Sequence, residues 1–229
     1  MELHLSVEPE MLEFPIFGGF QISETLFSAV LASLIIIIFA LIVRIFFIPK
    51  FKQIPDKFQM VIELTVDAVQ SYTTSKVGSW ASKTLAPYMY TVALIILVNG
   101  FFELLGIRAA MTDLNFTLSL ALITFVLIQA YGIKKRGLLK RLRAFTKPTP
   151  ILTPVNIATS LAIPISLACR MFGNILGGMI VMELLYSVAI ANLALPGILS
   201  IYFSVFHTCM QAFIFITLSL TFIHEALED

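Results

Sequence analysis

The sequence predicts an all-α integral membrane protein, with about five membrane-crossing helices and one interfacial amphipathic helix. The last two crossings are expected to be long and strongly tilted, packed as a hairpin. Three observations carry this reading. Of 229 residues, 59% are hydrophobic and 13% charged, against about 45–50% and about 25% in a soluble domain. Mean hydropathy is +0.95, and apolar runs long enough to cross a hydrocarbon core of about 30 Å recur along the chain. The cations are confined to two stretches. This balance excludes a soluble globular enzyme, a disordered chain and a nucleic-acid-binding protein, and makes the lipid bilayer the first partner. The net charge of +1 gives no global field that would recruit an ionic ligand.

Residues 1–25 read as an external N-terminal segment. They hold Glu2, Glu8, Glu10, Glu13 and Glu24 and no Lys or Arg. A secretory signal opens with a basic segment, so this stretch is a poor match to one. The first crossing is 26–48, containing SLIIIIFALIV and closed by Pro49. Residues 55–78 differ: Phe58, Val61, Ile62, Val69 and Tyr72 fall on one helical stripe, and acidic, basic and amide side chains cover the rest. That pattern predicts an amphipathic helix at the membrane interface, or alternatively a packed extramembrane helix. The second crossing is 85–105 and the third 114–133, joined by a link with Arg108 and Asp113. A basic loop follows at 134–149.

From residue 150 to 224 the chain is nearly all apolar, with Arg170 and Glu183 as its charges until the final turn. Asn, Pro and Gly in NLALPG (192–197) mark a turn, giving helices at 150–191 and 197–225. Helices so much longer than the bilayer must tilt, kink or lie partly in its plane, and Pro154 and Pro164 offer kink points. Thirteen of the 15 cations fall within Arg44–Lys83 or Lys134–Lys147. Both stretches lie on one side of a five-crossing topology, which the positive-inside rule makes cytoplasmic. The N-terminus is then outside, the C-terminus cytoplasmic, and the expected location is the cell's inner (plasma) membrane.

Arg170 is the most informative residue. A guanidinium at mid-membrane costs at least about 2.5–3.5 kcal/mol and cannot deprotonate, so a chain carries it for a partner or an ion path. The alternative is an ion pair that only holds helices together. Glu183, the acid of the same helix, lies about 20 Å further along the axis and cannot pair with it there. Ser166, Gly173, Asn174 and Gly177 share the arginine's face. Small residues let another helix approach closely, so this face suits a contact with another subunit, static or sliding.

The last helix offers a second polar stripe, with Ser204, His207, Thr208 and Gln211 at i, i+3, i+4 and i+7. Such a stripe predicts a hydrated path or proton relay, or interhelical hydrogen bonding. Glu103 and Glu183, toward the outer ends of their helices, are read either as lining an outer entrance or as interfacial residues. Cys169 and Cys209 read as small buried hydrophobes. Three scattered histidines show no metal-ligand spacing, and no cofactor motif occurs.

Taken with these features, the chain resembles subunit a of the F-type ATP synthases. The resemblance rests on TDLNFTLSLAL (112–122), ILTPVNIATSLAIPISLACRMFGNILGG (151–178) and MQAFIF (210–215). It implies an ion-translocating stator subunit of a rotary motor, without covalent chemistry of its own. Its partners would be a c-ring of small hydrophobic subunits and peripheral-stalk b subunits. By resemblance, Arg170 is the essential stator arginine, Asn174 its polar neighbour and Gln211 the glutamine of the last helix. Two half-channels would carry either protons or sodium ions to the ring carboxylates. The pattern departs at Met179, where many members have an acid, and at Ser204, where many have an acid or histidine. Glu183 and His207 are the nearest ionisable residues. Two other readings compete: a self-contained ion channel or secondary transporter, which the lack of an inverted repeat disfavours, and an intramembrane hydrolase using Ser204 and His207.

Overall fold

The computed structural model describes residues 11–14, 20–51, 55–137, 153–188 and 201–228. Five helices in it are long and apolar enough to cross a membrane, and the body of the protein is all-helical. A small antiparallel hairpin precedes them, pairing β1 (Met11–Phe14) with β2 (Phe20–Ser23) in the register Met11 to Ser23. Strands of this length are too short for their alternation to stand out in the sequence.

Helix α1 (Glu24–Ile42) starts where the Ser23 hydroxyl accepts the Leu26 N–H at 3.3 Å, an N-cap that satisfies one orphan donor. It runs on through a π-turn (Val43–Phe47) and a 3-10 turn (Ile48–Lys50). Its buried side chains are Thr25, Ser28, Ala29 and Ala32. Beyond them its Leu, Ile and Phe side chains point outward, as on a helix that meets lipid along most of its length.

Helix α2 (Lys57–Leu104) is bent at Gly78, whose φ of 78° and ψ of 165° lie in a region open essentially to glycine. The bend is a reversal. Thr74 Oγ1 and Ser82 Oγ meet across it at 2.6 Å, and further out Thr65 Oγ1 and Tyr90 OH meet at 3.3 Å. Thr65 and Tyr90 each stand about a dozen residues from the bend, roughly 18–20 Å of helix, so the two arms run side by side. The arm before Gly78 is the segment whose sequence suggests an interfacial helix. Val69 and Tyr72 do pack inward, with Thr73 and Val77 buried beside them. Phe58 and Val61 of the expected stripe are exposed instead, together with Met60 and Leu64. The reason is the fold-back: the neighbouring arm and the last helix cover one edge of this helix and leave the other open.

Helix α3 (Leu114–Arg136) is capped by Asp113, whose Oδ1 accepts the Asn115 N–H at 2.8 Å while Oδ2 accepts the Thr25 hydroxyl at 3.2 Å. That carboxylate thereby ties α1 to the start of α3. At its other end the helix continues to Arg136, so Lys134, Lys135 and Arg136 belong to its last turn rather than to a loop. Cations there are favoured by the helix dipole. Lys134 lies over the Trp80 ring at 5.6 Å, and Trp80 meets Tyr131 edge-on. The rest of the expected basic loop lies outside the described residues, as does the 192–197 turn.

Helix α4 (Thr153–Val188) has 36 residues, about 54 Å of helix, well beyond a hydrocarbon core of about 30 Å. Helix α5 (His207–Glu228) follows a π-turn at Tyr202–Phe206. Helix α4 lies mainly along α3, α5 mainly against α2 and α3, and the two touch each other less. The core divides into two clusters. One joins Leu167, Ala168, Met171 and Ile175 of α4 to Leu120, Ala121, Ala212 and Phe215. The other joins Leu85 and Met89 of α2 to Ile216, Leu220 and Ile223 of α5.

Candidate functional site

Two faces of α4 are distinct. Leu167, Ala168, Met171 and Ile175 are buried in the core, whereas Ser166, Arg170, Gly173 and Gly177 are exposed on the opposite side. A Cβ added at Gly173 or Gly177 would meet nothing within 4 Å. The arginine therefore stands on an open, smooth face of a membrane helix. Among the described residues no hydrogen bond or ion pair engages its guanidinium.

At the edge of that face, Asn174 is half-buried and its amide Nδ2 donates to Gln211 Oε1 of α5 at 2.6 Å. Gln211 is 1% exposed. The bond joins the arginine helix to the last helix at the level of the arginine's next turn. In an apolar surround such a bond contributes about 0.6–2 kcal/mol. It also fixes the orientation of both amides.

The polar stripe of the last helix faces inward. Ser204, Thr208 and Gln211 are buried and His207 is partly so. Ser204 belongs to the π-turn, whose wider winding means that the simple i, i+3 relation to His207 does not hold. His207 Nε2 is buried without a hydrogen-bond partner among the described residues, as is Asn99 Oδ1. The histidine lines a cavity of about 10 Å³ with Thr208, with Gly100 and Glu103 of α2, and with Ile175 and Gly178 of α4. At Gly100 the α2 backbone touches the Thr208 side chain so closely that a Cβ would overlap its Oγ1, Cγ2 and Cβ.

The expected residues thus fall into three groups. Asn174 and Gln211 are joined directly. Arg170, Ser166, Gly173 and Gly177 share the exposed face. His207 looks into a cavity. Glu183 is in α4, but its side chain lies outside the described residues. Glu103, whose position in the sequence fits either an entrance or an interfacial role, lines the same cavity as His207. Nothing in the sequence marks Gly100 as the glycine that meets another helix. The reading of the cysteines as buried is incorrect: Cys169 and Cys209 are both exposed. An apolar neighbourhood in a membrane helix is as compatible with a lipid-facing side as with the core.

The model of the family described as ATP synthase A chain matches residues 26–224. The chain belongs to this family. Membership of the ATP synthase A chain family makes it a multi-pass membrane subunit of an ATP synthase, in the ion-translocating Fo sector. A relative from Propionigenium modestum, described as ATP synthase subunit a, sodium ion specific, is 26% identical over 227 residues, covering 92% of this chain and 76% of its own length. The family match runs from residue 26 to 224 and so takes in the arginine face, the amide pair and the cavity.

Proposed function

We propose that this chain is the stator against which a ring of small c subunits turns, with Arg170 at the contact. The observation that carries this is the open face of α4, where Ser166, Arg170, Gly173 and Gly177 present one permanent charge among small side chains. A ring carboxylate must be neutral to face lipid. Beside a guanidinium it is drawn to ionise, because an opposite charge lowers its pKa. The fixed cation makes each carboxylate release its ion before passing, and repels any ion that would leak straight across. Ion flow then biases rotation. Ions reach the ring through two half-channels, for which Asn174, Gln211, His207 and Ser204 supply polar lining, with Glu183 on the outer side of Arg170. The peripheral-stalk b subunits hold the chain still. In this reading the chain itself performs no covalent chemistry. The N-terminus is outside and the C-terminus cytoplasmic, in the plasma membrane.

The test is substitution at Arg170 in the assembled complex. Arg170→Ala abolishes ion-coupled ATP synthesis while the ring still co-purifies. Arg170→Lys also fails, because a flexible ammonium does not reproduce a planar, always-charged fork. ATP synthesis near the wild-type rate in the Lys variant overturns the gate role. The competing reading of a self-contained channel requires ion flux from this chain without a ring, which reconstitution of the purified chain measures.

A further inference from the structure

Away from the arginine face, two outward helix faces converge near the bend of α2. Beyond Gly78, Trp80, Lys83, Thr84 and Pro87 are exposed at i, i+3, i+4 and i+7. On α3, Ile123, Val126, Ala130 and Lys134 are exposed at i, i+3, i+7 and i+11. The two helices meet through long side chains rather than through close backbone approach. Tyr88 OH and Thr124 Oγ1 meet at 2.7 Å, and Trp80 meets Tyr131 edge-on at 6.0 Å. At the end of this seam the Lys134 ammonium stands over the Trp80 ring at 5.6 Å, within cation–π range, and the ring is still 53% exposed. An ammonium has three N–H donors, so the side turned away from the ring is open to an anion.

The charge here is not answered from within the chain. Lys83 and Lys135 are exposed beside Lys134, and no carboxylate pairs with any of the three among the described residues. Residues 68–102 of α2 and all of α3 hold no Asp or Glu. The last turns of α5 pack against Val77 and Ala81 and bring Glu225 to this end, one described carboxylate against several lysines. The C-terminus of α3 adds a partial negative charge of about half a unit, which the full charges of Lys134 and Lys135 outweigh. One turn from Lys134 the character changes: Ala130, Val126 and Ile123 present an open apolar strip. Tryptophan and tyrosine favour the boundary between hydrocarbon and headgroups, and Trp80 and Tyr131 stand where cations give way to that strip.

We propose that the α2–α3 seam is a binding site for one anionic phospholipid. Its phosphate sits between Lys83 and Lys134, Trp80 lies at the glycerol level, and an acyl chain runs along Ala130, Val126 and Ile123. A free phosphate would answer the lysines and leave the strip bare, whereas a lipid of negative headgroup answers both. Basic recesses between membrane helices on the cytoplasmic side suit such headgroups, and Lys83 and Lys134 fall in the two cation-rich stretches assigned to that side. The site lies on a different helix pair from Arg170 and goes beyond the stator reading.

The experiment uses the whole complex in phosphatidylcholine vesicles. The probe is phosphatidylglycerol with a diazirine in one acyl chain, compared with a phosphatidylcholine carrying the same chain. After illumination the labelled peptides of this chain are mapped, and the label is competed with unmodified phosphatidylglycerol. The acidic probe marks the α3 stretch around Val126 and Ala130 well above the phosphatidylcholine probe. Lys83→Gln with Lys134→Gln raises the competing concentration needed by about 25-fold, at about five-fold for each lysine. Trp80→Leu raises it by about two- to five-fold. Lys83→Arg with Lys134→Arg keeps the charge and the label. Lys50→Gln with Lys57→Gln, which removes two exposed cations from the junction of α1 and α2, leaves the label unchanged. Equal marking by both probes means ordinary boundary lipid and overturns the site. Wild-type competition in the double Gln variant overturns it as well, as does an equal loss in the Lys50 and Lys57 variant. Competition by glycerol 1-phosphate at the same concentration shows a free-phosphate site instead. Carbodiimide coupling of Lys83 or Lys134 to a carboxylate of another subunit shows that a protein covers the seam, and the lipid is then excluded. Labelling needs no ion flow, so its outcome is read apart from the stator reading.

Discussion

Asn174 donates through Nδ2 to Gln211 Oε1 at 2.6 Å, joining the arginine helix to the last helix through two amides of unequal burial. Gln211 is almost wholly enclosed and Asn174 is half-open. That inequality sets the cost of breaking the pair. Asn174→Leu strands the enclosed carboxamide and destabilises by about 1–3 kcal/mol. Gln211→Leu leaves the half-open amide free to find another partner and costs less. The double Leu variant falls below the sum, since neither amide is then orphaned. Thermal melting of the solubilised complex, carried through the four members of the cycle, measures each quantity. If the two single variants melt alike, the burial difference has no energetic consequence.

The open face of α4 predicts a separation of stability from function. A side chain at Gly173 or Gly177 meets nothing within the chain, and replacing a helix-interior glycine by leucine improves helix propensity by about 0.5–1 kcal/mol. Gly173→Leu and Gly177→Leu are therefore expected to melt at or above the wild-type temperature. Rotation-coupled transport nonetheless falls sharply if the proposed stator reading holds, because bulk is then added where the ring would approach. Unaltered transport in both variants means that this face looks onto lipid.

Much of this was legible in the sequence because the bilayer imposes long apolar runs, and because a charge inside one is costly enough to stand out. Arg170 and its small neighbours three, four and seven residues away are read directly from helical spacing, and the structure does place Ser166, Gly173 and Gly177 on its side. What the sequence hides is pairing between helices. Glu103 and His207 are far apart in the chain, and no periodicity says that α2 and α5 share a cavity. The fold-back at Gly78 is hidden for a different reason: a glycine in a helical pattern is usually tolerated, and only its φ of 78° shows that it reverses the chain. The exposed cysteines show the limit of hydropathy. In lipid, burial in protein and exposure to the bilayer call for the same residue types.

Gly100 predicts the opposite behaviour from Gly173. A Cβ there overlaps the Thr208 side chain at Oγ1, Cγ2 and Cβ, so Gly100→Ala forces α2 and α5 apart. Overpacking of this kind costs about 1–3 kcal/mol. Thr208→Ala removes two of the three overlapping atoms, so the double variant recovers part of the loss, whereas Thr208→Ala alone has no such benefit. Melting of the complex reads all three. A neutral Gly100→Ala shows that the two helices have slack at this crossing.

The reversal at Gly78 places two further residues close enough to be tested chemically. Thr74 Oγ1 and Ser82 Oγ are 2.6 Å apart, so cysteines at these positions have their sulfurs within bonding reach. With Cys169 and Cys209 first replaced by Ser, Thr74→Cys with Ser82→Cys is expected to cross-link under mild oxidation. A straight helix through Gly78 would hold the same pair about 12 Å apart, and no bond forms. The backbone makes a second demand. With φ at 78° and ψ at 165°, any Cβ at this position is strained by about 1–3 kcal/mol, so Gly78→Ala destabilises the reversal. Where that strain is relieved by opening the bend, the hydrogen bond between Thr65 and Tyr90 is lost and the arms separate. Gly78→Ala in the Thr74→Cys/Ser82→Cys background then slows cross-linking relative to Gly78, at equal thiol reactivity toward a soluble reagent. Cross-linking that is absent with Gly78 in place, or equally fast in both backgrounds, shows that glycine is not what folds the first arm of α2 against the second.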